Sequence, residues 1–268
     1  MKKDNPIGIF DSGLGGLTVA NAVYRQLKNE QLIYFGDSAH LPYGDKSAAT
    51  IQAYSVKICD VLLQKNAKLI LIACNSASAA AYELVKAYVG SKAKVLNVID
   101  PVVNYVAEKY SGKHVGLIGT KQTVGSGVYE YQLKVKDPTI QFSALATPLL
   151  VPMIEEGFHN NNISEAIIEQ YLSDPVLQGI DTLILGCTHY PLIKDEIDKF
   201  YGGKIEVIDS STIVANALEK YLEEENLAAE KLTADHEFLV SDITPSFEVA
   251  AELFFGRKVP LQKHILWE

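Results

Sequence analysis

The sequence predicts an α/β protein with mainly parallel strands, and three observations carry that expectation. Short apolar runs alternate with longer stretches of helical periodicity from end to end. The runs lack the polar alternation of a half-exposed strand, so each reads as buried on both faces, as in parallel sheets covered by helices. The chain has 268 residues, and at ~150 residues per domain that is enough for two compact domains or one large α/β unit.

Residues 7–10 form the first strand, closed by Asp11 and followed by the turn Gly13-Leu14-Gly15-Gly16. The turn lacks both GxxxxGK[ST] and the spacing of GxGxxG, so it reads as a tight strand-to-helix connection that exposes Asp11 and Ser12, its amides meeting a carboxylate. A helix over 17–27 then carries Val19, Val23 and Leu27 at four-residue spacing. Further strands are expected at 32–35, 69–73, 95–99, 115–119, 140–145, 182–186, 205–208 and 238–241, and helices at 47–64, 78–89, 102–110, 163–172, 192–200, 211–224 and 246–255. Glu223, Glu224 and Glu225 read as a solvated helix end.

Composition removes several function classes. Hydrophobic residues at 48% and charged residues at 21% exclude a largely disordered chain. A net charge of −9 argues against a nucleic-acid partner. Cysteines are few and odd in number (Cys59, Cys74 and Cys187), with no CxxC, which disfavours a disulfide scaffold and points to a reducing compartment. The strongest apolar run, 69–74, is far short of the ~20 residues that cross a bilayer, and the N-terminus lacks a signal-peptide apolar stretch. A soluble, cytoplasmic protein without a membrane partner is expected.

Two of the cysteines stand in an internal echo. Leu71-Ile72-Ala73-Cys74-Asn75-Ser76 resembles Ile184-Leu185-Gly186-Cys187-Thr188-His189: an apolar strand, a small residue, a cysteine, then two polar residues opening a helix. Asp-Ser also follows a strand three times, at Asp11-Ser12, Asp37-Ser38 and Asp209-Ser210. In open α/β sheets the carboxyl ends of strands are where ligands sit. A helix N-terminus there lowers a thiol's pKa through its free N–H groups and dipole. Cys59, mid-helix among Ile58, Val61 and Leu62, reads instead as a small buried hydrophobe.

Three chemistries use such cysteines. A thiol nucleophile with His189 as base needs only one of them. A zinc site finds suitable residue types but not the usual spacing. Proton transfer at a carbon stereocentre uses both, because mirror-image substrates present the reacting hydrogen on opposite faces and one fixed base reaches only one face. No nicotinamide or flavin fingerprint appears. The positional candidate for a Schiff-base lysine, Lys121, reads as exposed, so the chemistry is expected to need no cofactor and no metal. Asp37 and Asp209 are read equally well as helix caps, and His40 as a structural or surface residue.

At these residues the sequence resembles the glutamate racemases of the aspartate/glutamate racemase superfamily. The resemblance is carried, in order along nearly the whole chain, by IFDSGLGG from Ile9, GDSAHLPYG from Gly36, ACNSASA from Ala73, PLLVPMIE from Pro148, LGCTHYPL from Leu185 and IDS from Ile208. Ser76 departs from the family's usual Thr, keeping the hydroxyl and losing a methyl. The resemblance implies interconversion of L- and D-glutamate without cofactor, supplying D-glutamate for peptidoglycan. It also implies two similar α/β domains facing each other across a cleft: 1–98 with 210–268 contributing Cys74, and 99–209 contributing Cys187. Cys74 would take the proton from D-glutamate and Cys187 from L-glutamate, each serving as acid in reverse. Substrate contacts would fall to Asp11, Ser12, Tyr43, Gly44, Asn75, Ser76, Thr188 and His189. Of these, Asp11 suits the ammonium or assists Cys74, while His189, with the acidic Glu155 nearby, assists Cys187. A homodimer is also implied. Racemisation of aspartate or another amino acid, and a non-catalytic amino-acid-binding protein, remain as alternatives.

Overall fold

The computed structural model describes residues 1–267. In chain order its strands are β1 (Ile7–Asp11), β2 (Leu32–Gly36), β3 (Leu69–Ile72), β4 (Lys94–Asn97), β5 (His114–Gly119), β6 (Gln141–Ala146), β7 (Thr182–Gly186), β8 (Glu206–Ile208), β9 (Glu237–Val240) and β10 (Leu261–Lys263). They form two sheets, parallel throughout: a larger one in the order β10-β9-β2-β1-β3-β4 and a smaller one in the order β6-β5-β7-β8. Strands β1, β2, β3 and β7 are buried along their whole length, the reason their sequences lack alternation.

This topology dictates where a ligand can sit. In the larger sheet the chain builds outward from β1 to β2, then crosses to β3 on the other side of β1; in the smaller it goes from β5 to β6 and crosses to β7. Each sheet therefore opens a crevice at the carboxyl ends of its two central strands. The residues leaving those ends are Ser12 and Cys74 in the larger sheet, and Thr120 and Cys187 in the smaller. The cysteine echo is thus a topological equivalence.

Apolar packing joins the halves. One buried cluster runs from Ile9 and Leu17 of the larger sheet's side to Leu185, Tyr190 and Ile193 of the smaller's, and takes in Val214 and Leu218 of helix Ser210–Glu224. Two further clusters fill the outer faces, around Phe35, Ile58, Cys59 and Ile72, and around Val102, Leu117 and Leu133.

Departures from expectation have local causes. β4 stops at Asn97 rather than 99, because the Asn97 side chain accepts from the N–H groups of Ile99 and Asp100 (2.8 and 2.9 Å) and starts helix Ile99–Lys109. The helix after β3 begins at Asn75, not 78, with Cys74 itself as the cap. β10 and the short helices Lys121–Gly125, Val128–Lys136 and Leu150–Glu155 were not expected from the sequence. Glu223, Glu224 and Glu225 are exposed, and Glu225 pairs with Lys94 at 2.6 Å.

Candidate active site

A cavity of about 190 Å³ lies where the two crevices meet. The larger sheet's side contributes Ser12, the Tyr43–Gly44 turn, and Cys74 with Asn75 and Ser76. From the other side come Thr120, the Pro148–Glu155 segment, and Cys187 with Thr188 and His189. Both cysteines are buried, and neither is disulfide-bonded.

Cys74 Sγ caps helix Asn75–Val89, accepting from Ala77 N–H at 3.4 Å, and lies 3.7 Å from Ser12 Oγ. The expected lowering of this thiol's pKa does not occur. Burial pushes the thiol well above its ordinary range, the Asp11 charge adds to that, and hydrogen bonds from Ala77 and Ser12 offset only part. Burial in the cavity floor outweighs the helix terminus.

Cys187 has a different environment. Its Sγ is 3.7 Å from His189 Nδ1, and His189 Nε2 is 2.9 Å from Glu155 Oε1, on helix Leu150–Glu155. The ring is clamped edge-on by Phe254 at 5.0 Å between centroids. Burial opposes the imidazolium, but hydrogen bonds to Cys187 and Glu155, with their charges, raise His189 from 6.5 to about 10. A sulfur, an imidazolium and a carboxylate therefore stand in line.

Asp11 is a correction to the expected exposure. It is fully buried and does not line the cavity: one oxygen accepts from Gly13 N–H at 2.9 Å, and Oδ1 is buried without a partner. The glycine turn folds its amide onto the carboxylate, leaving Ser12 at the cavity wall. Tyr43 is also buried and gives its hydroxyl to Asp37 at 2.6 Å. Asp37 stands at the N-cap of the short 3-10 helix Ser38–His40, but its carboxylate makes no capping bond; it is a buried junction that also accepts from Ser241 and pairs with His40, both at 2.7 Å. Asp209 does cap a helix, accepting from Ser211 N–H at 2.8 Å. Lys121 is exposed at the rim, 3.0 Å from Asp45, and Cys59 is an enclosed core residue.

Close approach explains two glycines. A Cβ on Gly15 would lie 2.3 Å from Thr188 Oγ1 and 2.4 Å from His189 Nδ1, so the turn after β1 presses directly on the Cys187 side of the site. A Cβ on Gly44 would lie 2.8 Å from Thr120 Cβ. The contact is reinforced where Thr18 Oγ1 donates to the Thr188 carbonyl at 3.0 Å and where the hydroxyls of Ser76 and Thr120 meet at 2.8 Å. Asn75 Oδ1 accepts from Tyr129 at 2.7 Å, while its Nδ2 is buried without a partner.

Sequence reasoning missed Thr120, Thr147, Tyr129 and Phe254. Only Thr120 had a readable signal, since it leaves β5 as Ser12 leaves β1. Among the described residues, no group of three or more His, Cys, Asp or Glu is arranged to hold a metal ion. No helix among them is long and apolar enough to cross a membrane.

Similarity to known proteins agrees with this geometry. The profile of the Asp/Glu/hydantoin racemase family matches residues 7–218. Over 258 residues the chain is 38% identical to glutamate racemase of Chlorobaculum parvum, covering 96% of this chain and 94% of that one. It superposes with a TM-score of 0.92 on the Francisella tularensis glutamate racemase solved with D-glutamate, at 37% identity over 98% of each chain. A glutamate racemase isoform from Bacillus anthracis gives the same TM-score at 32% identity, again over 98% of each chain. The chain therefore belongs to the Asp/Glu/hydantoin racemase family, among its glutamate racemases.

Proposed function

We propose that this protein interconverts L- and D-glutamate by two-base proton transfer at Cα, needs no cofactor, and supplies D-glutamate for peptidoglycan synthesis in the cytoplasm. The observation that carries the reading is that Cys74 and Cys187, leaving equivalent strands of two different sheets, line one cavity. In one direction a thiolate takes the Cα proton, the electron pair delocalises into the α-carboxylate, and the opposite thiol delivers its own proton to the other face. The two sulfurs then hold each other's former protonation states, and the reverse reaction restores them. Following the family pattern, Cys74 acts on D-glutamate and Cys187 on L-glutamate.

The remaining residues support this division. His189, steadied by Glu155 and Phe254, gives Cys187 an imidazolium partner. Asp11 lies out of the cavity and close enough for its charge to act on Cys74, so it serves that thiol rather than the substrate ammonium. Ser12, Asn75, Ser76 and Thr188 line the cavity with neutral hydrogen-bonding groups suited to carboxylates, and the Tyr43–Gly44 turn closes one side. The two catalytic units are 1–98 with 210–268, and 99–209.

Protein treated with chelator and freed of pyridoxal phosphate is incubated separately with L-glutamate and L-aspartate, and optical rotation is followed. Loss of rotation from glutamate, with deuterium entering Cα in heavy water, is expected. Loss from aspartate alone overturns the substrate assignment, and glutamate binding without deuterium uptake overturns catalysis.

A further inference from the structure

We propose that Tyr129 is a positioning residue that fixes which end of the Asn75 amide faces the substrate, and that it does so only while the two sheets are apposed. The inference rests on the racemase reading above. Tyr129 lies in helix Val128–Lys136, beyond β5 of the smaller sheet, whereas Asn75 opens the helix after β3 of the larger one. Their contact therefore spans the same divide as the two cysteines.

An asparagine amide has nearly the same shape either way round, so its orientation is set by hydrogen-bond partners. Tyr129 is 1% exposed, and its hydroxyl donates to Asn75 Oδ1 at 2.7 Å. Burial, with the charges of Asp100 and Cys187, pushes the phenol's pKa up and keeps its proton in place. Turning the amide over would strand that proton in a buried setting and present Oδ1 to an anionic ligand. The orientation that satisfies Tyr129 leaves Nδ2 as a buried donor without a protein partner, on a residue of the cavity wall next to Cys74. A buried N–H without a partner, on a residue that lines the cavity, is satisfied when a carboxylate oxygen reaches it. Because the orienting hydroxyl comes from the Cys187 half, carboxylate recognition is completed by the same apposition that brings both thiols to one carbon.

The test is steady-state kinetics of the full-length enzyme with both glutamate enantiomers. Tyr129→Phe is expected to raise KM about tenfold, the effect of losing one well-placed hydrogen bond to a charged ligand. With the reacting groups untouched, kcat should stay within about twofold of wild type. In an Asn75→Ala background the same substitution should add less than about twofold to KM, since there is no longer an amide to orient. Equal KM costs in both backgrounds, or an unchanged KM in Tyr129→Phe, would overturn the proposal. Should Tyr129→Phe fail to fold, the wild-type Asn75 side-chain amide NMR signal asks the same question. It should move on titration with D-glutamate, and a stationary signal at saturation would count against the assignment. Wild-type protein inert toward glutamate sinks the racemase reading itself, whereas wild-type turnover with an unaltered Tyr129→Phe KM sinks this inference alone.

Discussion

Glu155→Gln probes the Cys187 side of the site with the least steric disturbance, because it removes a charge and keeps the side chain's shape. His189 sits at about 10 against an ordinary 6.5, a preference for the imidazolium on the order of 5 kcal/mol, shared between Cys187 and Glu155. Removing an adjacent opposite charge typically moves a titration by about 1–3 pH units, so the variant's imidazole should titrate near ~8. At pH 7 both proteins remain largely protonated. At pH 9 the wild type keeps most of its imidazolium while the variant holds roughly a tenth, so the variant's relative kcat/KM should drop about another tenfold between the two pH values. The sign also holds for stability. A raised histidine pKa stabilises the fold fully below 6.5 and loses that contribution as pH climbs toward about 10, so the variant should lose it earlier. The assay is kcat/KM against pH for each enantiomer, with NMR titration of the His189 ring. Enantiomers have an equilibrium constant of one, so both directions must fall by the same factor. An alkaline limb that does not move in Glu155→Gln, or a wild-type His189 that titrates near 6.5, would refute the reasoning.

Cys74→Ala and Cys187→Ala should each lower turnover by at least ~10²–10⁴-fold with the fold intact, while each retains α-hydrogen exchange with the one enantiomer its surviving thiol can reach. The checks are optical rotation and deuterium wash-in; inversion at the normal rate in either variant would end the two-base account. Cys59→Ala, in the core away from the cavity, should leave KM unchanged and cost stability only, read by urea denaturation. Gly15→Ala would drive a methyl into Thr188 and His189, and displacing these groups by about 1 Å should cost about 10²-fold in kcat/KM with little change in the circular dichroism spectrum. Away from the site, Lys68 is fully buried against Glu30 at 2.6 Å and also donates to the carbonyls of Lys3 and Leu227. Glu30→Ala strands that ammonium and should destabilise the fold by about 3–5 kcal/mol in urea denaturation.

The central strands were readable because burial on both faces leaves an uninterrupted apolar signature, as in Leu69-Ile70-Leu71-Ile72. β10 was not readable: it is a three-residue edge strand with Gln262 and Lys263 exposed, so its sequence carries no core pattern. The helices at 121–125 and 150–155 are too short for periodicity to register, and the second holds Pro152. At the site, Cys74 and Cys187 were legible because their chemistry is local to a strand end, and so were the polar residues that follow each of them. The burial of Asp11 was not, because it depends on the glycine turn bending one amide back onto the carboxylate. Tyr129 and Phe254 were invisible for a simpler reason: their partners, Asn75 and His189, lie far away in sequence and meet them only through tertiary packing.

The apolar cluster that runs from Ile9 and Leu17 through to Tyr190 and Leu218 has a consequence for how this chain comes apart. Each half keeps one apolar cluster to itself and shares this one, so severing the backbone near 99 and 210 would yield fragments with raw greasy flanks. Such pieces should recover secondary structure and activity upon mixing, and aggregate when kept separate. Large hinge swings face the same obstacle, because parting the halves would wet that shared seam.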